Sequence, residues 1–301
     1  MTYWRTILLA GVALGLMACG GGGGGGGGGL NSTPTPPPPP PPQGSTAVEI
    51  FQSPASQEFA TIGSGDTLRI RYDAGSGLYE VMPGAQGWTT LVDEPSSIPP
   101  SGNPNQSFKF AGGGTNGSYF TILAHYRLTD PNLKYQYSNL AFWGKQNGGV
   151  QLVGQQVAFG LATPAASIPV TGAATYNGMI AGTSSESLDN SSEAIANGFI
   201  TGSINLAFNF GGGTLTGSIS PFVELQDRRA LGTLAFTNTV YSAGSTSFSG
   251  KFDTAISGLN AFSGLFTGPN ANELIGKFAF PYTSPFDGKV AQATGAFIGK
   301  Q

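Results

Sequence analysis

Cysteine and histidine each occur once in this chain of 301 residues, as Cys19 and His125. A single cysteine excludes an internal disulfide. The chain also lacks the motifs His-Glu-x-x-His, Cys-x-x-Cys and Gly-x-Ser-x-Gly, so the zinc-site and hydrolase interpretations lack their residues. His125 stands in a strand-like aromatic stretch, where a strand residue facing polar surroundings is a better interpretation than a general base. The sequence therefore predicts no enzyme, no catalytic residue, no cofactor and no metal site.

Charge is also scarce. Charged residues make up 10% of the chain, against about 25% in typical soluble domains. The net charge of -3 and pI of about 5.1 lack the basic footprint of a nucleic-acid binder, so no nucleic-acid partner is predicted. Hydrophobic residues reach 39%, with 20 Phe, which is enough for a sizeable core.

The amino terminus predicts the compartment. Residues 7–17 form an apolar run that is shorter than the ~20 residues needed to span a bilayer, as in a signal peptide, assigned to 1–18. The run ends in Leu-Met-Ala-Cys, which resembles the lipobox of bacterial lipoproteins and makes Cys19 the predicted lipidation site. Gly20, in place of Asp, points to the outer membrane. The alternative is an ordinary secretory signal with a coincidental cysteine.

Residues 19–45 are predicted to be a disordered, lipidated tether. The glycine run 20–29 has the composition of a flexible coil, and the proline run 36–42 that of a semi-rigid polyproline spacer. Together they would hold a folded body several nanometres from the lipid. A proline tract can also be a ligand for peptide-binding domains, but beside a lipid anchor the spacer interpretation is preferred.

A five-residue unit, apolar-x-Gly-x-apolar, repeats through the carboxyl-terminal part of the chain. Its glycines are Gly178, Gly202, Gly217, Gly232, Gly250, Gly264, Gly276 and Gly295. A spacing of two places the three defining residues on one face of a strand. The intervening residues are mostly Ser, Thr, Asn, Ala and Lys, so each strand is predicted to be apolar inward and polar outward. Eight such strands predict an antiparallel β-barrel over residues 165–301.

Glycine on a buried face needs a geometric reason, because it weakens a strand and packs nothing. A small barrel provides one, since glycine on one strand makes room for a Phe side chain from the strand opposite. Residues 46–164 show less regular strand patterns over 67–72, 119–126, 135–142 and 151–159, which predict a smaller β-rich domain before the barrel. The fold class is therefore all-β.

An up-and-down strand order would place alternate connections at the same end of the barrel. The longer connections, predicted over 183–198, 221–230, 254–259 and 281–291, share one end and form the expected recognition surface, because binding residues concentrate on loops held by a rigid scaffold. The cluster 227–229 is the most charged part of that end. A partner contact and a solvated turn both remain open for it.

Several runs resemble one family. Residues 159–160 (FG), 163–165 (TPA), 172–178 (GAATYNG), 264–276 (GLFTGPNANELIG) and 295–300 (GAFIGK) are similar to the transferrin-binding protein B-like surface lipoproteins. The similarity is strong from about residue 160 to 301 and weaker over 46–159.

This resemblance implies a handle domain beside an eight-stranded antiparallel barrel, lipid-anchored on the outer membrane and facing the cell exterior. It also implies capture of a protein or small nutrient-bearing ligand, alongside an outer-membrane transporter. The full receptor of this family has two handle-plus-barrel lobes, whereas this chain has room for one, and no loop motif maps onto transferrin contacts. No ligand-binding residue is therefore assigned.

Two other functions remain open from the sequence. A structural or adhesive surface lipoprotein would deliver no solute. A membrane-embedded porin is disfavoured, because the apolar residues are predicted to face inward, the reverse of an outer-membrane barrel.

Overall fold

The computed structural model describes residues 56–65, 68–76, 78–84, 87–93, 106–110, 118–122, 135–147, 150–187, 197–224 and 227–301. The predicted signal peptide (1–18), the tether (19–45), Cys19 and His125 lie outside these residues. The described chain is almost entirely β-strand, with two short 3₁₀ turns at Ala165–Ser167 and Pro269–Ala271. Within these ranges no helix is long and apolar enough to cross a bilayer.

The first sheet, called the handle sheet here, contains nine antiparallel strands in the order β1-β3-β4-β5-β6-β7-β8-β9-β2. Its strands are β1 Gln57–Glu58, β2 Ala60–Gly63, β3 Leu68–Asp73, β4 Leu78–Pro83, β5 Thr89–Asp93, β6 Gln106–Phe110, β7 Ser118–Ile122, β8 Ser138–Asn147 and β9 Val150–Gly160. β1 pairs with β3 and β2 pairs with β9. The single stretch 57–63 therefore provides both outer strands of the sheet.

The second sheet forms the barrel. Its strands are β10 Ala173–Ser187, β11 Asn197–Asn209, β12 Thr214–Glu224, β13 Arg228–Ala230, β14 Leu234–Val240, β15 Ser247–Phe252, β16 Ala261–Thr267, β17 Glu273–Thr283 and β18 Val290–Lys300. Eight of them pair antiparallel in chain order. Closure comes from β10 pairing with β18 and β12 pairing with both β11 and β14. β13 is a short extra strand on the end of β12. The predicted all-β class and eight-stranded antiparallel barrel are confirmed.

The barrel interior is filled with side chains. Tyr176, Phe208, Phe252, Phe266 and Phe297 are almost completely buried there. Phe208 lies at the centre of an aromatic cluster, with ring centroids 4.9 to 5.5 Å from those of Tyr176, Phe248 and Phe266. Such tilted and edge-on contacts add stability beyond the area that they bury. The barrel is therefore a packed core.

The prediction that the aromatic rings next to the glycines come from the opposite side of the barrel is wrong. They come from the neighbouring, hydrogen-bonded strand, and not from across the interior. Gly264 is paired with Phe248, and Gly276 with Phe297. A Cβ on either glycine would lie 2.3 or 2.1 Å from the Cζ atom of that ring. The ring covers its partner glycine because directly paired residues are the closest neighbours on one face of a sheet.

One of the eight predicted glycine units does not line the barrel. Gly232 lies in the turn between β13 and β14, with φ +82 and nothing within 4 Å of its Cβ position. The chain turns here because Arg228–Ala230 forms a separate strand on β12. β14 therefore begins at Leu234, three residues later than the pattern predicts.

The outer face of the barrel also differs from the expected polar surface. Ile275, Ala296 and Ile298 point outward but are fully buried, in a cluster with Tyr135, Leu140 and Ala158 of the handle part. Their apolar area is removed from water, which stabilises the contact. The strands β17 and β18 are therefore buried on both faces where β8 and β9 cover them.

Candidate functional site: the loop end of the barrel

The run 264–276, one of the five that resemble the family, forms a junction between barrel and handle. Thr163 donates its backbone N–H to the carbonyl of Phe266 at 2.9 Å, and Gly268 donates its N–H to the carbonyl of Leu161 at 2.8 Å. Gly268 has φ +77, and a Cβ there would lie 2.5 Å from the Tyr137 ring. Only glycine combines this left-handed conformation with so close an approach. The motif therefore has a structural role at this junction.

Glu273 is the buried charged group of the junction. Its carboxylate accepts the backbone N–H groups of Gln136 at 2.7 Å and Tyr137 at 3.0 Å. Burial raises the pKa of this carboxyl, against the lowering effects of the two N–H groups and of Lys300. Sequence reasoning assigned Glu273 no role. The available signal was an acid at the start of a mostly apolar strand.

The expected recognition surface lies at the opposite end of the barrel from this junction. We call it the loop end and define it by the described residues 227–233, 253–260 and 284–289, which connect strands there, together with Val290, the first residue of β18. The residues 188–196 and 225–226 lie outside the described ranges. β10, β12 and β17 continue to Ser187, Glu224 and Thr283, further than predicted, so their connections are shorter. These strands extend because their inward residues, such as Val223 and Tyr282, continue the buried core.

The connection 284–289 is a compact turn organised by Ser284. The Ser284 hydroxyl accepts the backbone N–H groups of Phe286 at 3.1 Å and Asp287 at 3.3 Å. Asp287 in turn accepts the N–H of Lys289 at 3.0 Å and pairs with its ammonium group at 3.2 Å. The Phe286 side chain packs against the barrel core. The turn is therefore anchored while Asp287 and Lys289 remain exposed.

Gln292 fixes the connection 253–260. Its side-chain amide donates to the carbonyl of Leu259 at 2.9 Å and accepts the Leu259 N–H at 3.2 Å. Asn260 makes the corresponding pair of bonds with the backbone of Phe252, both at 2.8 Å. Leu259 itself is 63% exposed. The loop end therefore presents apolar side chains from a backbone that is held in place.

The charged cluster 227–229 is exposed at the same end and is internally paired. Arg229 bonds both carboxylate oxygens of Asp227 at 3.0 Å, and Arg228 lies 3.6 Å from Glu224. The Arg228 guanidinium also lies 4.0 Å from the centroid of the Phe222 ring. These pairs satisfy the charges locally, yet the side chains remain accessible to a partner.

Inside the mouth of the barrel, Tyr282 and Ser184 share a buried hydrogen bond between their hydroxyl groups. Burial raises the pKa of the Tyr282 phenol, and the carboxylates of Glu186 and Asp287 add to the rise. The Tyr282 phenol therefore stays neutral, and its side chain lies buried and hydrogen-bonded beneath the loop end. In the described ranges no three His, Cys, Asp or Glu residues come together as a metal site.

The barrel matches a known family. Residues 168–301 match the sequence model of the family described as the C-lobe and N-lobe β-barrels of Tf-binding protein B. This part of the chain is therefore similar to the barrels of that family, which confirms the resemblance found in the sequence. No curated protein matches the chain at a significant level.

Solved structures of transferrin-binding protein B also resemble the chain. A double mutant from Haemophilus parasuis Hp5 is 16% identical, with a TM-score of 0.40, and the match covers 78% of this chain and 50% of that one. The intact Ap-TbpB structure, with N and C lobes, is 14% identical at a TM-score of 0.39, covering 78% and 66%. A mutant from Actinobacillus pleuropneumoniae H49 is 13% identical at a TM-score of 0.33, covering 81% and 98%. The chain thus spans about half the length of the first of these relatives.

Proposed function

We propose that this protein is a lipid-anchored binding protein of the outer-membrane surface, which captures a protein or small nutrient-bearing ligand at the loop end of its barrel. The match of residues 168–301 to the barrels of a Tf-binding protein is the observation that carries the proposal. Delivery of the captured ligand to an outer-membrane transporter is part of the same proposal. Binding, and not catalysis, is the activity.

The packing of the barrel supports a ligand site on the exterior. The interior is occupied by aromatic side chains such as Phe208, Phe266 and Phe297, which leaves the loops and the outer wall for recognition. The loop end offers exposed apolar groups, Leu259 and Val290, and also the exposed charges of Arg228 and Arg229. Arginine and apolar anchors on a preorganised backbone are typical of protein–protein interfaces.

The names of the relatives make transferrin the first candidate ligand. A matched pair of exposed valines provides the test, because Val290 is 64% exposed at the loop end and Val170 is 61% exposed at the other end. We expect Val290→Asp combined with Arg229→Glu to weaken transferrin pull-down at least about tenfold. The first change would place a new charge in the interface, where it must be desolvated, and the second would replace attraction by repulsion. The control, Val170→Asp, should leave capture unchanged.

Both variants should keep the wild-type melting temperature, so that lost capture is not lost folding. Undiminished capture by the Val290 and Arg229 variant would contradict the loop-end assignment. If the wild-type chain does not capture transferrin, the same pair of variants is compared with nutrient-bearing ligands. Reduced surface attachment of cells without the gene, with unchanged nutrient-limited growth, would favour the structural or adhesive alternative.

The anchor is tested separately. The signal peptide 1–18, acylated Cys19 and the tether 19–45 are the proposed means of display on the cell surface. We expect Cys19→Ala to release the protein from the outer-membrane fraction, because the acyl chains supply the stable anchoring. Protease added to intact cells should remove the wild-type protein from the surface. A Cys19→Ala protein that still fractionates with the outer membrane would contradict lipidation.

A further inference from the structure

A groove runs along the side of the barrel, where the handle residues Gly63–Gly65 face the outer surface of β14 to β18. We call it the side groove. Its main part has a volume of about 600 Å³, and neighbouring cavities of about 220 and 390 Å³ share Ser263 with it. Ligand pockets typically fall between about 300 and 1,000 Å³.

The floor of the side groove consists of small side chains in register. Ser249 pairs with Ser263, and Ser263 pairs with Lys277, across β15, β16 and β17. A second row runs through Ala261, Ala279 and Thr294. Directly paired residues on one face lie about 4.5 to 5.5 Å apart at Cβ. A patch of short side chains therefore leaves a depression between the strands and the handle.

The handle side of the groove is held in place. Gly65 donates its N–H to the Gln155 side-chain oxygen at 2.8 Å, and Ser64 donates its N–H to the carbonyl of Gln156 at 3.1 Å. A Cβ at Gly65 would lie 2.7 Å from that same Gln155 oxygen. The wall therefore fits closely against β9.

The charges of the groove all have one sign. Lys251 and Lys277 line it, and no carboxylate does so among the described residues. Five other cations, Arg69, Arg71, Arg228, Arg229 and Lys289, pair with carboxylates. Neither groove lysine has such a partner within the described ranges. Val240 and Leu259, which are 64% and 63% exposed, add apolar surface to the groove.

We propose that the side groove binds a small anionic amphiphile. Its acidic head, a carboxylate, phosphate or sulfonate, lies between the ammonium groups of Lys251 and Lys277, and its apolar body covers the alanine floor beside Val240 and Leu259. Charge complementarity defines the head, and the volume limits the ligand to small-molecule size. The side groove lies on the outer wall of the barrel and shares Leu259 with the loop end, but the proposal does not depend on the proposed capture function.

The test uses the fluorescent dye 8-anilinonaphthalene-1-sulfonate, which combines a sulfonate with an apolar ring system, and the purified full-length chain. We expect saturable binding in the micromolar range. The double variant Lys251→Gln, Lys277→Gln should bind about three- to tenfold more weakly, the range expected from two partly exposed ion pairs. Ser263→Phe should abolish binding by filling the groove. The control Arg69→Gln, Lys289→Gln removes the same charge elsewhere and should bind normally.

Competition distinguishes the sources of such a ligand. If the natural ligand is a lipid-like carboxylate, decanoate should displace the dye. If the natural ligand is a soluble metabolite, a short aromatic carboxylate such as benzoate should displace the dye better than decanoate does. Displacement by inorganic phosphate alone, or by an acidic peptide better than by either, would overturn the amphiphile assignment. Absence of dye binding, or equal binding by wild type and both groove variants, would overturn the site.

Discussion

The two strands β14 and β17 belong to the same barrel but are built in opposite ways. β17, Glu273–Thr283, is buried along almost its whole length, and it pairs with β18 without interruption over eleven positions. β14, Leu234–Val240, contains no buried residue and pairs with β12 at only two positions. The two strands differ in what packs on their outer face, because residues of β17 and β18 such as Ile275 and Ile298 pack against the handle part.

This contrast shows that closing a barrel does not make its wall uniform. Strands buried on both faces gain apolar stabilisation twice, whereas a strand exposed on its outer face gains it once. The pairing of β14 with β15 also shifts register near Asn238, which has φ 48. Local stability should therefore be highest beneath the handle and lowest around β14.

The largest expected effect on stability comes from adding one methyl group to β17, the strand that the handle part covers. In Gly276→Ala the new Cβ would lie 2.1 Å from Phe297 Cζ and 2.5 Å from the Ser263 carbonyl oxygen. We expect a loss of more than about 3 kcal/mol in the free energy of unfolding, because neither the core ring nor the strand backbone can move freely. Urea denaturation measures this value.

Gly250→Ala is the matched change on the exposed side of the barrel. Its Cβ would meet the Phe262 ring at 2.6 Å, but the nearest backbone oxygen, that of Thr237 in β14, is 3.2 Å away. The cost should be about 1 kcal/mol, since the loosely paired β14 can give way. Gly211→Ala, with its nearest neighbour at 3.7 Å, should cost less than about 0.5 kcal/mol. Equal losses at Gly276 and Gly250 would contradict the contrast.

The next effect concerns the junction. Glu273→Ala removes the acceptor of two backbone N–H groups, those of Gln136 and Tyr137. We expect a loss of about 1 to 3 kcal/mol, because both donors would lose their acceptor in a partly buried place. Thermal unfolding should also separate into two steps if the junction is what joins handle and barrel. A single unchanged transition would show that Glu273 does not hold them together.

A smaller effect is the pH dependence of the same group. Burial raises the pKa of Glu273 above its ordinary value of 4.5. The folded state therefore holds the proton more tightly than the unfolded state, and this contribution to stability is complete below pH 4.5 and decreases as the pH rises toward the folded pKa. The stability difference between wild type and Glu273→Gln should decrease over that window. A difference that is constant or that increases with pH would contradict the assigned cause.

Much of the barrel follows from its sequence, because alternating apolar residues and repeated glycines specify the inner face of each strand. Phe248, Phe262 and Phe297 are found on the predicted inner face. The burial of Ile275 and Ile298 on the outer face could not be predicted, since it depends on contact with strands more than a hundred residues earlier in the chain. The turn at Gly232 was missed because its spacing is the same as that of the strand glycines.

The candidate sites were harder to predict from the sequence than the barrel was. The loop end was predicted from connection lengths, but its anchoring by Ser284 and Gln292 depends on hydrogen bonds that spacing does not reveal. The side groove was not predicted, because Ser249, Ser263 and Lys277 are ordinary outward residues of three different strands. Only the strand register brings them into one row.

Amide hydrogen exchange of the full-length chain, followed strand by strand, tests the central claim that two-sided burial sets local stability. Two-sided burial predicts that amides of β17 and β18 exchange slowest, together with those of β9, and that amides of β14 exchange at least about tenfold faster. Exchange at one common rate around the barrel, or β14 protected as well as β17, would contradict it.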